Sequence, residues 1–269
     1  MKQYKRALTI AGSDSGGGAG IQADLKSFSA NGVYGMSVLT AITAQNTKGV
    51  QGIHPVPPDT IRDQIISVMD DIGTDVVKTG MLHSCAVIKT IGEALEPYQP
   101  LDLVVDPVMV ATSGDKLLED DAVKTMIEVM LPLATVITPN RPEAELILDR
   151  KIETREQTWQ AVKELSETGA RAILLKGGHF EGNSVLDLLY LPEKDEMTEL
   201  PYKRVNTGNT HGTGCTLASA IAAWLAKELN ITEAVRKGVE YTHRAIEAGA
   251  QYQLGHGHGP VHHFYQHWS

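Results

Sequence analysis

The chain has 269 residues, of which 42% are hydrophobic, with a formal net charge of −9 and a pI of about 5.6. This length suits one large α/β domain or two smaller ones, and the acidic balance argues against a nucleic-acid-binding protein. Cys85 and Cys215 are the two cysteines. They form neither a disulfide framework nor a metal cluster, and they fit a reducing cytoplasm. No signal peptide and no run of 18 apolar residues occurs, so no membrane span is expected.

Short apolar runs of β-type composition alternate along the chain with longer helical patterns. The predicted strands are residues 7–11, 36–44, 75–79, 103–106, 136–138 and 172–176. The predicted helices are residues 19–31, 58–72, 84–95, 120–130 and 156–168, and two terminal helices at 216–228 and 232–253. Residues 184–190 and 198–203 are predicted to form an antiparallel hairpin-type addition. This order predicts one α/β domain over residues 1–269, with a mostly parallel sheet, helices on both faces and ligands at the carboxyl ends of the strands.

The first strand runs into a glycine-rich loop, residues 12–20, which reads GSDSGGGAG. It matches the dinucleotide pattern G-x-G-x-x-G only loosely, and the second strand ends in AQNT without the expected acidic residue. An NAD-binding oxidoreductase is therefore disfavoured, and no P-loop motif occurs. The glycines let a substrate ring approach the backbone closely. Asp24, one turn further on, either faces the same cleft or is a solvated helix carboxylate.

A second glycine-rich turn, HGTGC at residues 211–215, opens the helix predicted from Thr216. Free backbone N–H groups and the positive end of the helix dipole make such a turn an anion site. The same field favours the thiolate of Cys215. The alternative is a glycine-rich helix cap with a buried structural cysteine.

Polar residues follow several predicted strands. Asp106 is suited to Mg²⁺ or to the phosphate side of a site, and Lys176 to clamping a nucleotide phosphate. Asn140 and Glu143 either hold a metal through water or form a turn and a helix start. With the anion site, these strand-end residues make a constellation of the kind that phosphoryl transfer needs.

The chain resembles the hydroxymethylpyrimidine/phosphomethylpyrimidine kinases of thiamine biosynthesis, a branch of the ribokinase-like superfamily, over nearly its whole length. The resemblance rests on separate blocks at residues 9–26 (TIAGSDSGGGAGIQADLK), 43–47 (TAQNT), 78–82 (KTGML), 106–109 (DPVM), 138–140 (TPN), 176–179 (KGGH), 211–215 (HGTGC) and 257–263 (GHGPVHH). It implies a single ribokinase-like domain, two successive phosphorylations of a pyrimidine alcohol in one site, ATP and Mg²⁺, a homodimer and a cytoplasmic location.

The resemblance also implies a role for individual residues. The pyrimidine pocket is expected to be lined by Gly12, Asp24, Gln45, Met81 and Val108. The ATP-binding residues are expected to be Asp106, Asn140, Glu143, Lys176, Thr213 and Lys237, with Asp106 and Glu143 as metal ligands. The catalytic anion hole is expected to be Gly212, Thr213, Gly214 and Cys215. The Gln45 amide offers a donor and an acceptor to an aminopyrimidine edge. Sugar kinases of the superfamily usually carry an aspartate base where Cys215 stands, so a thiolate base is expected here for the alcohol step.

Two alternatives remain open at this level. A vitamin B6 kinase of the same fold would carry a second cysteine in the loop after DPVM, and residues 110–115 read VATSGD. A catalytically silent ligand-binding domain would not consume ATP. The histidine-rich tail, residues 255–269, either binds a transition metal or is a chain end packed by Phe264, Tyr265 and Trp268.

Overall fold

The computed structural model describes residues 2–109, 121–177 and 184–268. The strands are β1 (Arg6–Ala11), β2 (Tyr34–Leu39), β3 (Ala41–Asn46), β4 (Gly49–Pro55), β5 (Val76–Thr79), β6 (Leu103–Val105), β7 (Val136–Ile137), β8 (Ile173–Leu175), β9 (Ser184–Leu191) and β10 (Glu196–Lys203). The α-helices are α1 (Gly20–Ala30), α2 (Pro58–Asp71), α3 (Cys85–Leu95), α4 (Ala122–Thr125), α5 (Arg141–Leu148), α6 (Arg155–Leu165), α7 (Thr213–Ala226) and α8 (Ile231–Gly249). Among these residues, no helix is both long and apolar enough to cross a membrane.

The central sheet has the strand order β10-β9-β8-β7-β6-β5-β1-β2. Strands β1, β2 and β5 to β8 are parallel, and β9 and β10 are added antiparallel. The predicted fold class is therefore confirmed. Each face of the sheet is buried under helices, which is why the parallel strands are apolar on both sides. One core packs α2, α3 and α6 on the sheet, and the other packs α1, α7 and α8 on the opposite face.

The predicted strand over residues 36–44 is wrong as a single element. The chain leaves the central sheet at Thr40, whose N–H donates to the Ala11 carbonyl (3.0 Å) and whose hydroxyl donates to the Met81 carbonyl (2.7 Å). β3 then pairs with β4, which the sequence reading missed, in a separate antiparallel hairpin. The start of the hairpin is joined to the loop after β1, because the Ser13 N–H donates to the Ala41 carbonyl (2.9 Å).

The last predicted helices shift at their ends. α7 begins at Thr213 instead of Thr216, with Gly212 as its N-cap in the left-handed region (φ 77°). The segment predicted as a helix over residues 120–130 continues from α4 as a π-helical stretch, Met126–Met130, and its first residue lies outside the described part of the chain. α5 was not predicted, because its eight residues follow the strand β7 almost directly.

Candidate active site

A cavity of about 630 Å³ opens at the carboxyl ends of the parallel strands. The order of the strands reverses at β1, where ligands of such sheets bind. Most of the residues expected in the site line this one cavity: Gly12, Gln45, Met81, Asp106, Val108, Asn140, Glu143, Lys176, Gly212, Thr213, Gly214 and Cys215. Asp24 and Lys237 do not.

One end of the cavity is apolar and tight. Met81 and Val108 pack against the hairpin, and a methyl added to Gly12 would come within 2.8 Å of Met81 Cε. Half-buried Gln45 is held at the rim by Ser15, whose Oγ accepts from the Gln45 N–H and donates to its carbonyl (both 2.8 Å). An amide and two apolar side chains that line the same cavity are suited to a flat heterocycle with a polar edge.

The glycine-rich loop is organised by Asp14, to which the sequence reading gave no role. Its buried carboxylate accepts from the N–H groups of Gly16 (2.7 Å), Gly18 (3.0 Å) and Ala19 (2.8 Å). His211 Nε2 lies 2.8 Å from the same carboxylate. Burial alone raises the pKa of Asp14, but the hydrogen bond with His211 and those with the amides bring it below its usual value. An aspartate two residues before a glycine is a turn signal by which it was detectable.

The anion site lies where α7 begins. Because the first amides of a helix have no intrahelical acceptor, the N–H groups of Gly214 and Cys215 are free to bind a ligand. A methyl added to Gly214 would lie 3.4 Å from Lys176 Nζ and 3.5 Å from Asp106 Oδ2. The amides therefore adjoin the charged cluster at the strand ends, as phosphate binding requires.

The expectation of an ionised Cys215 is not met in the free protein. Burial raises the pKa of its thiol to about 11. Lys78 and the hydrogen bond from the Gly20 N–H lower the pKa, while Asp24 and Asp106 raise it. The helix field predicted from the sequence is therefore outweighed by desolvation and two carboxylates.

Asp106, Glu143 and Lys176 form the charged cluster. Lys176 Nζ lies 3.1 Å from Asp106 Oδ1 and 3.7 Å from Glu143 Oε2. Burial by itself lowers the pKa of Lys176, but Asp106 and then Glu143 raise it above the ordinary value. Burial raises the pKa of Glu143 to about 7, with Lys176 opposing and Asp106 adding to the rise. With both carboxylates ionised, the cluster therefore has two negative charges around one ammonium.

Asn140 and Glu143 also form a helix start. The Asn140 side chain accepts from the Glu143 N–H (3.0 Å), and the Glu143 carboxylate accepts from the Asn140 N–H (2.7 Å). This capping box opens α5. The structural alternative left open by the sequence is thus present, and it fixes the Glu143 carboxylate at the cavity wall beside Lys176.

Asp24 is not among the described residues that line the cavity, and its expected contact with the substrate stays a prediction. It is fully buried and accepts from Lys78 Nζ (3.0 Å to each oxygen), Thr9 (2.6 Å) and Ser219 (2.6 Å). Ser219 is one turn beyond Cys215 on α7. The carboxylate is therefore a counterion that ties α1, β1, β5 and α7 together, which the sequence spacing of a helix residue does not reveal.

Lys237 is also outside the cavity. Its Nζ lies 4.7 Å from the centre of the Trp224 ring, between α7 and α8. Helix α8 lines the cavity with residues that follow Lys237: Val239, Thr242, His243 and Ile246. Asp187 also lines the cavity, as a buried carboxylate that accepts from the Gly177 N–H (2.7 Å) and from Tyr202. Burial raises the pKa of Asp187 to about 6.

The histidine-rich tail is used for packing. In the part of the chain that the structure describes, no group of three or more His, Cys, Asp or Glu side chains is placed to hold a metal ion. Phe264 stacks on Trp268 (5.0 Å between ring centres), and Tyr265 lies 5.7 Å from Tyr241. His263 is buried, with Nε2 3.0 Å from the Thr216 hydroxyl.

A parallel sheet with this cavity, an anion hole and a lysine–carboxylate cluster defines a ribokinase-like small-molecule kinase. A family model described as phosphomethylpyrimidine kinase matches residues 14–262. The chain is 50% identical over 264 residues to a protein of Rhizobium meliloti (strain 1021) named hydroxymethylpyrimidine/phosphomethylpyrimidine kinase, covering 97% of this chain and 98% of that protein. The chain belongs to the phosphomethylpyrimidine kinase family.

Two solved structures illustrate the likeness. Phosphomethylpyrimidine kinase from Clostridium difficile 630 aligns with a TM-score of 0.79 and 46% identity, covering 90% of this chain and 99% of that one. Bacillus subtilis pyridoxal kinase in an ADP complex aligns with a TM-score of 0.90 and 36% identity, covering 99% and 100%. A pyridoxal kinase and a phosphomethylpyrimidine kinase therefore share this fold, so side chains must decide which substrate is used.

Proposed function

We propose that this protein is an ATP-dependent kinase that phosphorylates 4-amino-5-hydroxymethyl-2-methylpyrimidine and then its monophosphate, in thiamine biosynthesis. One observation carries the proposal: Gln45 and the α7 anion hole open into the same cavity. An aminopyrimidine between Met81 and Val108 would present its polar edge to the Gln45 amide. The membership of the family supports the same substrate.

The phosphoryl group is proposed to bind at the N–H groups of Gly214 and Cys215, with Lys176 on a nucleotide phosphate. Donors fixed before the reaction stabilise charge that develops in the transition state at little reorganisation cost. Met81, which leaves no room for a methyl at Gly12, is proposed to cover one face of the ring. The attacking alcohol and the phosphoryl group are thereby held in one orientation, which is the main contribution a protein makes to phosphoryl transfer.

We propose that a divalent cation binds at the charged cluster. Asp106 Oδ1 is engaged by Thr138 (3.0 Å) and Lys176, while Asp106 Oδ2 faces Gly214 at the anion hole. Glu143 supplies a second buried carboxylate. Mg²⁺ in proteins is ordinarily bound by one or two carboxylates, and water and phosphate oxygens complete its coordination. Mg²⁺ held by Asp106 and Glu143 would neutralise phosphate charge.

The two steps make different demands on Cys215. In the first, an alcohol must lose a proton, and Cys215 Sγ is proposed to receive it when the thiol is ionised. In the second, the nucleophile is a phosphate oxygen that already carries negative charge. The anion hole, Lys176 and the metal ligands are therefore proposed to be enough for the second step.

A vitamin B6 kinase is the second candidate, because the pyridoxal kinase from Bacillus subtilis shares the backbone so closely. Residues 110–115, where such kinases carry a lid cysteine, lie outside the described residues, and their sequence contains none. Gln45 and its neighbours in TAQNT favour the pyrimidine.

An assay of ADP release separates the candidates. The pyrimidine alcohol and its monophosphate should each stimulate ADP release, and pyridoxal should do so far less. Lys176→Ala should raise KM for ATP, whereas Lys163→Ala, which removes an exposed lysine paired with Asp195, should not. Preferential turnover of pyridoxal would assign the protein to the B6 kinases, and no ADP with any acceptor would refute kinase activity. A homodimer in the cytoplasm is part of the same proposal, and sedimentation equilibrium tests the dimer.

A further inference from the structure

Residues 255–263, here called the C-terminal brace, contact the hairpin at the pyrimidine end of the cavity. The N–H of His258 donates to the Thr47 carbonyl (2.8 Å), and the N–H of Gly257 donates to the Thr47 hydroxyl (3.2 Å). Thr47 lies in the turn between β3 and β4, two residues after Gln45. The brace therefore holds the tip of the hairpin that carries Gln45.

The other end of the brace contacts the start of α7. The N–H of His211 donates to the Gly259 carbonyl (3.0 Å), and His211 forms an isolated parallel bridge with Pro260. Buried His263 lies 3.0 Å from the hydroxyl of Thr216 in the first turns of α7. Nine residues of chain thus join the pyrimidine end of the cavity to the anion hole.

The glycines of the brace explain why its sequence alternates as GHGHG. A methyl at Gly257 would collide with the Thr47 carbonyl, and one at Gly259 with the Asn209 side chain. Asn209 is itself fixed, because its Nδ2 donates to the carbonyls of Gly249 and Tyr252 (both 2.7 Å). Only a chain without side chains at these positions can lie directly on the hairpin and on the loop before α7.

We propose that the C-terminal brace positions Gln45 relative to the anion hole, with Gly257 and Gly259 as its positioning residues. This inference rests on the proposed function, which gives Gln45 and the anion hole their roles. A substrate whose ring is read at one end and phosphorylated at the other needs both ends at a fixed separation. A displacement of about 1 Å costs roughly 10²-fold in rate.

The first test compares Gly257→Ala with Gly208→Ala. Gly208 adjoins the brace, since His258 Nδ1 lies 3.3 Å from its carbonyl oxygen, but a methyl there meets nothing within 4 Å. In the ligand-free protein, Gly257→Ala should accelerate amide hydrogen exchange over residues 43–50, and Gly208→Ala should not. Gly257→Ala should also raise KM for the pyrimidine alcohol about 10-fold or more, with KM for ATP within about twofold.

The second test uses the opposite end of the brace. Gly259→Ala should lower kcat about 10-fold through the loop before α7, with a smaller change in KM for the pyrimidine. If Gly257→Ala unfolds, the isosteric Thr47→Val removes the hydroxyl acceptor of Gly257 and should raise KM in the same direction.

Wild-type exchange in the hairpin of Gly257→Ala, or equal effects of Gly208→Ala, would overturn the proposal. So would a Thr47→Val variant with an unchanged KM. The exchange measurement needs no turnover, so it judges the brace separately from the kinase activity. A wild-type protein inert toward the pyrimidine would refute the proposed function, whereas normal turnover with an unaffected hairpin would refute only the brace.

Discussion

Replacing Asp24 with asparagine tests whether this carboxylate is a buried counterion or a substrate contact. Asp24 and Lys78 are both fully buried, and the ammonium bonds to both carboxylate oxygens. Burial alone lowers the pKa of Lys78, but Asp24 raises it above its usual value. The introduced amide keeps one oxygen acceptor, so one of the Thr9 and Ser219 hydroxyls would have to accept from its NH2 group instead of donating. The Lys78 ammonium would be left without its charge partner. Breaking a buried pair in this way typically costs about 3–5 kcal/mol.

Urea denaturation should therefore show the free energy of unfolding of Asp24→Asn lowered by about 3–5 kcal/mol at pH 7. Adding Lys78→Met removes the uncompensated charge, so the double variant should recover at least half of the loss. Asp59→Asn is the matched control, because Asp59 pairs with Arg62 on the surface. It should cost less than about 1 kcal/mol.

An Asp24→Asn variant with wild-type stability and a steeply raised KM for the pyrimidine would contradict the counterion role of Asp24. That result would return Asp24 to the substrate pocket. A double variant no more stable than Asp24→Asn would show that the loss comes from the hydrogen bonds to Thr9 and Ser219 instead of from the charge pair.

Three further predictions concern the cavity and the tail. Gln45→Leu should raise KM for both pyrimidine substrates by about 10- to 100-fold, because polar groups of the ligand lose their partner, and should leave KM for ATP unchanged. A near-native KM would show that Gln45 does not bind the pyrimidine ring, and Gln51→Leu, at an exposed position of β4, is the control. Because burial raises the pKa of Cys215 to about 11, kcat for the alcohol should rise about tenfold per pH unit from pH 7 to 9. In Cys215→Ala that rise should vanish and the alcohol step fall about 10²-fold at pH 8, with the monophosphate step less affected; parallel losses in both steps would exclude the base. Burial lowers the pKa of His263 to about 3 from an ordinary 6.5, so protonation favours the unfolded chain. The stability that this histidine contributes above pH 6.5 is therefore lost as the pH falls toward 3, by about 1.4 kcal/mol per pH unit. His263→Gln should lack this component of acid sensitivity in urea titrations at pH 4 to 7, and an unchanged slope would contradict the assignment.

Local pattern determined the sheet class and the position of the cavity. The alternation of apolar strands with amphipathic helices requires a parallel sheet, and the carboxyl ends of parallel strands share one edge. Asp106 and Lys176 could be placed near each other on that ground alone. The glycine-rich turn before α7 predicted the anion hole in the same way, because a helix start always leaves free amides.

Tertiary contacts decided what local spacing leaves open. Residues 36–44 read as one strand, but Thr40 bonds to Ala11 and Met81, and the chain departs as a hairpin. The direction of the Asp24 side chain depended on the buried Lys78 of a distant strand. The direction of the Lys237 side chain likewise depends on a tertiary contact, with the Trp224 ring on the neighbouring helix.

The charge state of Cys215 shows most clearly which properties are local and which depend on the tertiary structure. Its sequence position at a helix start predicts a lowered pKa, since the helix dipole is a local property. Desolvation, Asp24 and Asp106 raise the pKa to about 11, and these depend on segments far away in the chain. The sequence by itself determined which strand ends and which helix start meet at the cavity, because these follow from short-range backbone geometry. Burial and long-range charge, which exist only in the packed structure, decided which side chains reach the cavity and how they are held and ionised.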